Sequence, residues 1–156
     1  MAAITGLDEV SKKLKTLGND KVAKRIARKS AREGMKLVQA AAKQNAESVD
    51  DLDTKEKIAN NIVIRSGRIN DKGAIRMRVG VLGGAKSYAA ASGEVQGAGK
   101  NNPGGDTFYW RFVEFGTKHS AAKPFMRIAL FNNIDSTTNK FAEVFMGETD
   151  KELSKL

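Results

Sequence analysis

The sequence predicts an α+β fold: a small antiparallel sheet of three to four strands, packed by a long N-terminal helix and C-terminal helices, with a long glycine-rich loop. Three observations carry this. Apolar residues recur at helical spacing from Asp20 to about Ala46. Clean alternation marks Ala74 to Leu82 as a strand. The stretch from Thr107 to Leu130, TFYWRFVEFGTKHSAAKPFMRIAL, reads as a strand, a tight loop and a short helix. The expected organisation is one domain, 1–156. It divides into a helical arm (1–46), a linker (47–57), a hairpin (58–82), a flexible loop (83–106), a central strand with a short helix (107–133) and a C-terminal helix (134–156).

Within the arm, Leu7, Val10, Leu14 and Leu17 predict a short amphipathic helix. Thr5 serves as its cap, Asp8 and Glu9 favour the positive end of its dipole, and Gly18 is its stop. A second helix opens at Asp20, a good N-cap. Its apolar stripe is Val22, Ala23, Ile26, Ala27, Ala31, Gly34, Val38, Ala41 and Ala42. These are mostly small residues, so a neighbouring element can approach closely. The opposite side carries Lys21, Lys24, Arg25, Arg28, Lys29, Arg32 and Lys36. After a polar linker, Ile58 to Arg68 starts a hairpin with Ile62 and Ile64 on one face. The turn falls in Asn70-Asp71-Lys72-Gly73. The return strand points Ile75, Met77, Val79 and Val81 inward and Arg76, Arg78 and Gly80 outward.

Residues 83–106 hold nearly half of the chain's 15 glycines and few large apolar side chains. Such a segment cannot bury enough surface to offset its backbone entropy, so it is read either as a loop that folds against a partner or as a linker. Beyond it, Tyr109, Arg111, Val113 and Phe115 alternate with Phe108, Trp110, Phe112 and Glu114. Both faces are largely apolar, as in a strand covered on both sides. Phe108, Trp110, Phe112, Phe115 and Phe125 are the expected core. Gly116 ends the run, and Pro124 suits the first turn of a helix continued by Phe125, Ile128 and Ala129. Glu114, a carboxylate in an apolar segment, needs a donor. Arg127 or Arg111 is expected to supply it, fixing the turn into the Pro124 helix. A last helix capped by Asp135 or Ser136 carries Thr138, Phe141, Phe145, Glu148 and Glu152, and its charged end is expected to fray.

Composition narrows the function classes. Cysteine is absent, which removes disulfides and thiolate metal sites. No apolar run is long enough to cross a bilayer, and MAAITGLDEV lacks a secretory h-region, so a soluble cytoplasmic protein is expected. His119 is the single histidine, and with Glu114 alone it lacks the third orienting group that acid–base chemistry needs. The acidic run at Asp50, Asp51 and Asp53 lacks the glycine and distal glutamate of a calcium loop. Gly80-Val-Leu-Gly-Gly is followed by no Gly-Lys-Ser/Thr, and no Gly-x-Ser-x-Gly elbow occurs. Neither an enzyme nor a cofactor or metal site is expected. The net charge of +9 concentrates in the long helix and central sheet, with acidic excess in the linker and last helix. That polarity suits a head-to-tail contact between subunits. The basic helix face, Lys21, Lys24, Arg25, Arg28, Lys29 and Arg32, is a candidate DNA or partner contact. A non-specific basic nucleic-acid-binding protein is the alternative function.

The motif at Glu114, Phe115, Gly116 and Thr117, followed by Pro124, Phe125, Met126, Arg127, Ala129 and Leu130, resembles the tail-completion (neck) proteins of long-tailed phages, the lambda-type Z protein and its relatives. Ile128 departs from the second proline many relatives have there. The resemblance implies a non-catalytic protein of the virion neck, present in host cytoplasm during assembly. It would form a ring between the head's connector or adaptor proteins and the tail terminator or tail-tube proteins. Six copies are favoured and twelve possible, and genomic DNA in the channel is contacted at most non-specifically. It further implies interface roles for Tyr109, Arg111, Glu114, Phe115, Gly116, Thr117, Lys118, Pro124, Phe125 and Arg127.

Overall fold

The computed structural model describes residues 18, 20–50, 56–67, 74–82 and 102–155. The expected first helix, the hairpin turn and most of the glycine-rich loop lie outside the described residues. The described elements are α1 (Asp20–Glu47), α2 (Ile58–Asn61), β1 (Ile62–Ser66), β2 (Met77–Val81), α3 (Trp110–Phe115), α4 (Met126–Asn132) and α5 (Ile134–Leu153).

Helix α1 is the spine. Its 28 residues reach about 42 Å at ~1.5 Å per residue. Ile26, Ser30, Gly34, Val38, Ala42 and Ala46 are all buried. They form one row spaced by four, the spacing that stacks side chains along a helix face. The buried Ser30 hydroxyl donates to the Ile26 carbonyl at 2.9 Å, so no polar group is stranded in the row. The C-terminal half of α1 faces the sheet and α4. There Ala42 and Ala46 join Ile58, Ala59, Ile62, Phe125 and Ala129 in the core cluster.

The N-terminal half of α1 packs on α5, which runs antiparallel to it: Gly34 lies against Thr137, Lys29 pairs with Glu148, and Arg25 pairs with Glu152. A Cβ added at Gly34 would stand 2.8 Å from the Thr137 carbonyl oxygen. Gly34→Ala therefore sets two effects against each other. Intrinsic helix propensity favours alanine by about 1 kcal/mol, and overpacking against a backbone atom costs about 1–3 kcal/mol. A net loss of stability in denaturant unfolding is expected; a gain would mean that the two helices do not cross here.

The β1–β2 hairpin is antiparallel with Ile62 opposite Val81, Ile64 opposite Val79 and Ser66 opposite Met77. The expected inward set is thus on one face. That face turns toward α1, whose Gln39 side chain donates to the Ile62 carbonyl at 2.8 Å.

Several expectations need correction. The sheet has two strands among the described residues, not three or four. The segment read as a central strand is a turn followed by α3. Tyr109, Trp110 and Val113 are half-buried and pack on the core cluster, at the one- and three-residue spacings of a helix. Phe108 and Phe115 are exposed and Phe112 is half-buried, so of the five expected core aromatics only Phe125 is fully buried. Ile58 to Asn61 form one helical turn ahead of β1 rather than part of the strand. The linker's first residues are structural too: the Asp50 carboxylate accepts from the Ile58 and Ala59 amides at 2.8 and 3.3 Å, capping that turn.

The end of the glycine-rich loop is anchored as well. Buried Asn61 donates to the Gly105 carbonyl and the Thr107 hydroxyl at 2.9 and 2.8 Å, and accepts from the Gly104 amide at 2.8 Å. Helix α5 begins at Ile134, with no side-chain cap at Asn133, and continues to Leu153. Phe141 and Phe145 stack at 5.7 Å between centroids, while Thr137 rather than Thr138 meets α1. At the acidic end of α5, Glu148 and Glu152 reach Lys29 and Arg25 of their own chain, at 2.7 Å each, because the antiparallel pairing brings the two charge runs side by side.

Candidate functional site

The motif from Glu114 to Arg127 folds into one compact unit around Glu114. Gly116 closes α3 with φ +77°, and its amide donates to the Phe112 carbonyl at 2.8 Å. A residue with a Cβ is strained at that angle, and here its Cβ would also stand 2.8 Å from the Ala122 nitrogen. The chain then turns on Thr117. Its amide donates to the Ser120 carbonyl, and its hydroxyl accepts from the His119 and Ser120 amides at 3.2 and 3.0 Å. Lys123 returns to α3 by donating to the Val113 carbonyl. The loop from Thr117 to Lys123 is exposed, His119 included.

Glu114 is only 1 % exposed. One carboxylate oxygen accepts from the Phe125 and Met126 amides at 2.7 and 2.9 Å. The other accepts from the Arg127 amide and Arg127 Nε, both at 3.0 Å. Arg127 Nη2 in turn donates to the Glu114 carbonyl at 2.7 Å. The carboxylate thus satisfies the orphan amides at the start of α4 and lies at the favourable end of its dipole. Arg127 is the donor, as the sequence suggested, while Arg111 is exposed on α3. The sequence had pointed to a side-chain partner; three backbone amides share the work. Helix α4 itself begins at Met126, with Pro124 leading into Phe125.

This buried joint fixes an exposed surface. The Arg127 guanidinium lies over the Phe115 ring, 5.0 Å from its centroid, and Phe115 is 58 % exposed. Along α4, Phe125 and Ala129 face the core, while Ile128, Leu130 and Phe131 face outward, Phe131 at 78 % exposure. Ile134 follows at 49 %. Helical spacing places Arg127 and Phe131 as neighbours. In the sequence, Phe115 reads as core, and Leu130 and Phe131 read as added apolar bulk on the helix after Pro124. The missed signal was that α4 has one buried face against α1, yet apolar residues all round.

The second candidate surface, on α1, is partly spent. Arg25 and Lys29 are in ion pairs with α5. The Glu148 carboxyl is held below its ordinary value by hydrogen bonds from Lys29 and Lys151, and that of Glu152 by a hydrogen bond from Lys155, with the Arg25 charge adding to it. Lys21 is exposed and Lys24 half-buried. Arg28 and Arg32 are exposed with no ion-pair partner among the described residues. No group of three or more potential metal ligands occurs among the described residues. No helix among them is long and apolar enough to cross a membrane.

No curated protein and no solved structure matches the chain. A family model does match, over residues 8–116, described as "Bacteriophage HK97-gp10, putative tail-component". It runs from the N-terminal arm to the end of α3, well over half the chain, and stops at Gly116. The loop from Thr117 together with α4 and α5 lies beyond it. The family is one of virion structural proteins and not of enzymes. A helical spine with a two-stranded hairpin, a carboxylate-locked joint and an exposed apolar helix thus stand in a member of the HK97-gp10-like family of bacteriophage tail components.

Proposed function

We propose that this chain is a tail-completion protein of the head–tail interface, docking in the virion neck between the head's connector or adaptor proteins and the tail terminator or tail-tube proteins, as one subunit of a ring. Six copies match a six-fold tail; twelve would follow the connector. The observation that carries this reading is the rigid apolar surface of Phe115, Ile128, Leu130, Phe131 and Ile134, around Arg127. A row of large apolar residues exposed on a helix, with an arginine at its centre, has the composition of a contact surface. Glu114 holds its residues in place before any partner arrives, which lowers the ordering cost of docking. Membership in a structural tail-component family supports the same location.

The test is co-sedimentation of the purified protein with isolated tails and, separately, with DNA-filled heads, at low and high salt. Stoichiometric binding to either that persists at high salt is expected, because apolar contact is not screened. Phe131→Asp should abolish it while leaving the unfolding midpoint unchanged, since Phe131 makes little of the interior. Absence of binding to both tails and heads would refute the neck role.

A further inference from the structure

The outer face of the hairpin carries a second surface. Register places Val63 opposite Gly80 and Arg65 opposite Arg78. One step further, the Gly67 amide donates to the Arg76 carbonyl at 2.8 Å, so Arg76 continues the same face. A Cβ at Gly67 would meet the Arg76 side chain at 2.8 Å and Arg78 Nε at 3.2 Å, which places these two arginines side by side. All three arginines are exposed, and no guanidinium of theirs has an ion-pair or hydrogen-bond partner among the described residues. Like charges directly opposite on a sheet are destabilising. Nothing within the described fold compensates them.

On α1, Arg25, Lys29 and Lys36 each have a carboxylate, which leaves Arg28 and Arg32 as its exposed arginines with no ion-pair partner among the described residues. Two of the hairpin arginines, Arg65 and Arg78, border an open groove of about 400 Å³ that also touches Val63, Gly80, Leu82 and Asn102. A Cβ at Gly80 would meet nothing within 4 Å, so the groove floor is open. The amide nitrogen of Asn102, at its rim, is a buried donor without a partner.

We infer that the hairpin's outer face binds the phosphate backbone of duplex nucleic acid. Three guanidiniums, each with a planar donor fork suited to phosphate, line a two-stranded ribbon. A ribbon of that kind fits a major groove. A duplex offers one charge per ~1.7 Å of axis, the density needed to neutralise several cations on one short face. The inference assigns the contact to the sheet rather than to α1, and it stands apart from the docking of α4.

The experiment measures association of the full chain with a short duplex of arbitrary sequence over a salt series. It compares wild type, Arg65→Gln/Arg78→Gln, and the α1 control Arg28→Gln/Arg32→Gln. Each lost phosphate contact lowers the slope of log K against log salt by about 0.9, so the hairpin variant should lose about 1.8. The control should lose less than half as much. Equal or larger loss in the control, or an unchanged hairpin variant, overturns the assignment. In the second case the arginines would serve to keep the hairpin's edges from pairing with other chains. Wild-type binding to polyglutamate but not to duplex also overturns it, in favour of an acidic protein partner. Tail and head co-sedimentation is read separately, so either proposal can fail alone.

Discussion

Replacing Glu114 by alanine should lower the unfolding free energy by about 3–5 kcal/mol, the range for breaking a buried charged network by removing one partner. The loss comes mainly from the amides of Phe125, Met126 and Arg127, which would keep their burial and lose their acceptor. The ion pair itself is the smaller part. The Arg127 side chain is 58 % exposed, and pairs with an exposed member contribute about 0–1 kcal/mol. Arg127→Ala is therefore expected to cost about 1 kcal/mol. Glu114→Gln should fall between, because an amide turns one acceptor into a donor facing donors, at a cost of about 1.5–3 kcal/mol. Midpoints of denaturant unfolding at constant m-value give this order directly. Equal effects of Glu114→Ala and Arg127→Ala would mean the salt bridge, not the helix start, is what Glu114 serves. A Glu114→Gln variant with unchanged melting temperature and unchanged binding to tails or heads would remove the joint from the account altogether.

Gly104→Ala should be the most damaging single methyl in the described chain. A Cβ there would lie 2.0 Å from the Lys57 carbonyl oxygen and 3.0 Å from the Asn61 side chain. Neither neighbour is free to move. The Gly104 carbonyl accepts from the Lys57 amide, and the Gly104 amide donates to Asn61 Oδ1, both at 2.8 Å. The loop end must detach to admit the methyl, losing both bonds and the seat of Asn61. A loss of about 3 kcal/mol or more follows from overpacking combined with stranded polar groups. Asn61→Ala strands the same groups from the other side. The double variant should then cost clearly less than the sum of the singles, since each already removes the shared contact. Additivity in that cycle would show that Gly104 and Asn61 do not form one unit.

Much of the arm and hairpin was legible in the sequence because each spans enough residues to show its period. Helix α1 holds about eight turns of one pattern, and β2 alternates without interruption. The stretch from Trp110 to Phe115 did not resolve in this way. It covers fewer than two helical turns, and with apolar residues on both alternating faces it satisfies a strand and a helix equally. Gly116 was legible as a stop, and Glu114 as a carboxylate in want of a donor. That three backbone amides eleven to thirteen residues on would meet it was not, because orphan amides carry no side-chain signature. Asn61 was passed over for a related reason: its partners Gly104 and Thr107 lie 43 and 46 residues away in the sequence.

The sequence by itself determined the spine, the inward face of the hairpin and the need of Glu114 for a donor. These depend on residue type and spacing along one segment. Tertiary structure alone decided that the aromatic segment coils, that α4 leaves its outer apolar residues uncovered, and that the acidic end of α5 neutralises Arg25 and Lys29 of its own chain. It also left Arg65, Arg76 and Arg78 without a counter-charge among the described residues. Patterning says which residues gain from burial or from an opposite charge, but the chain path says which of them receive it.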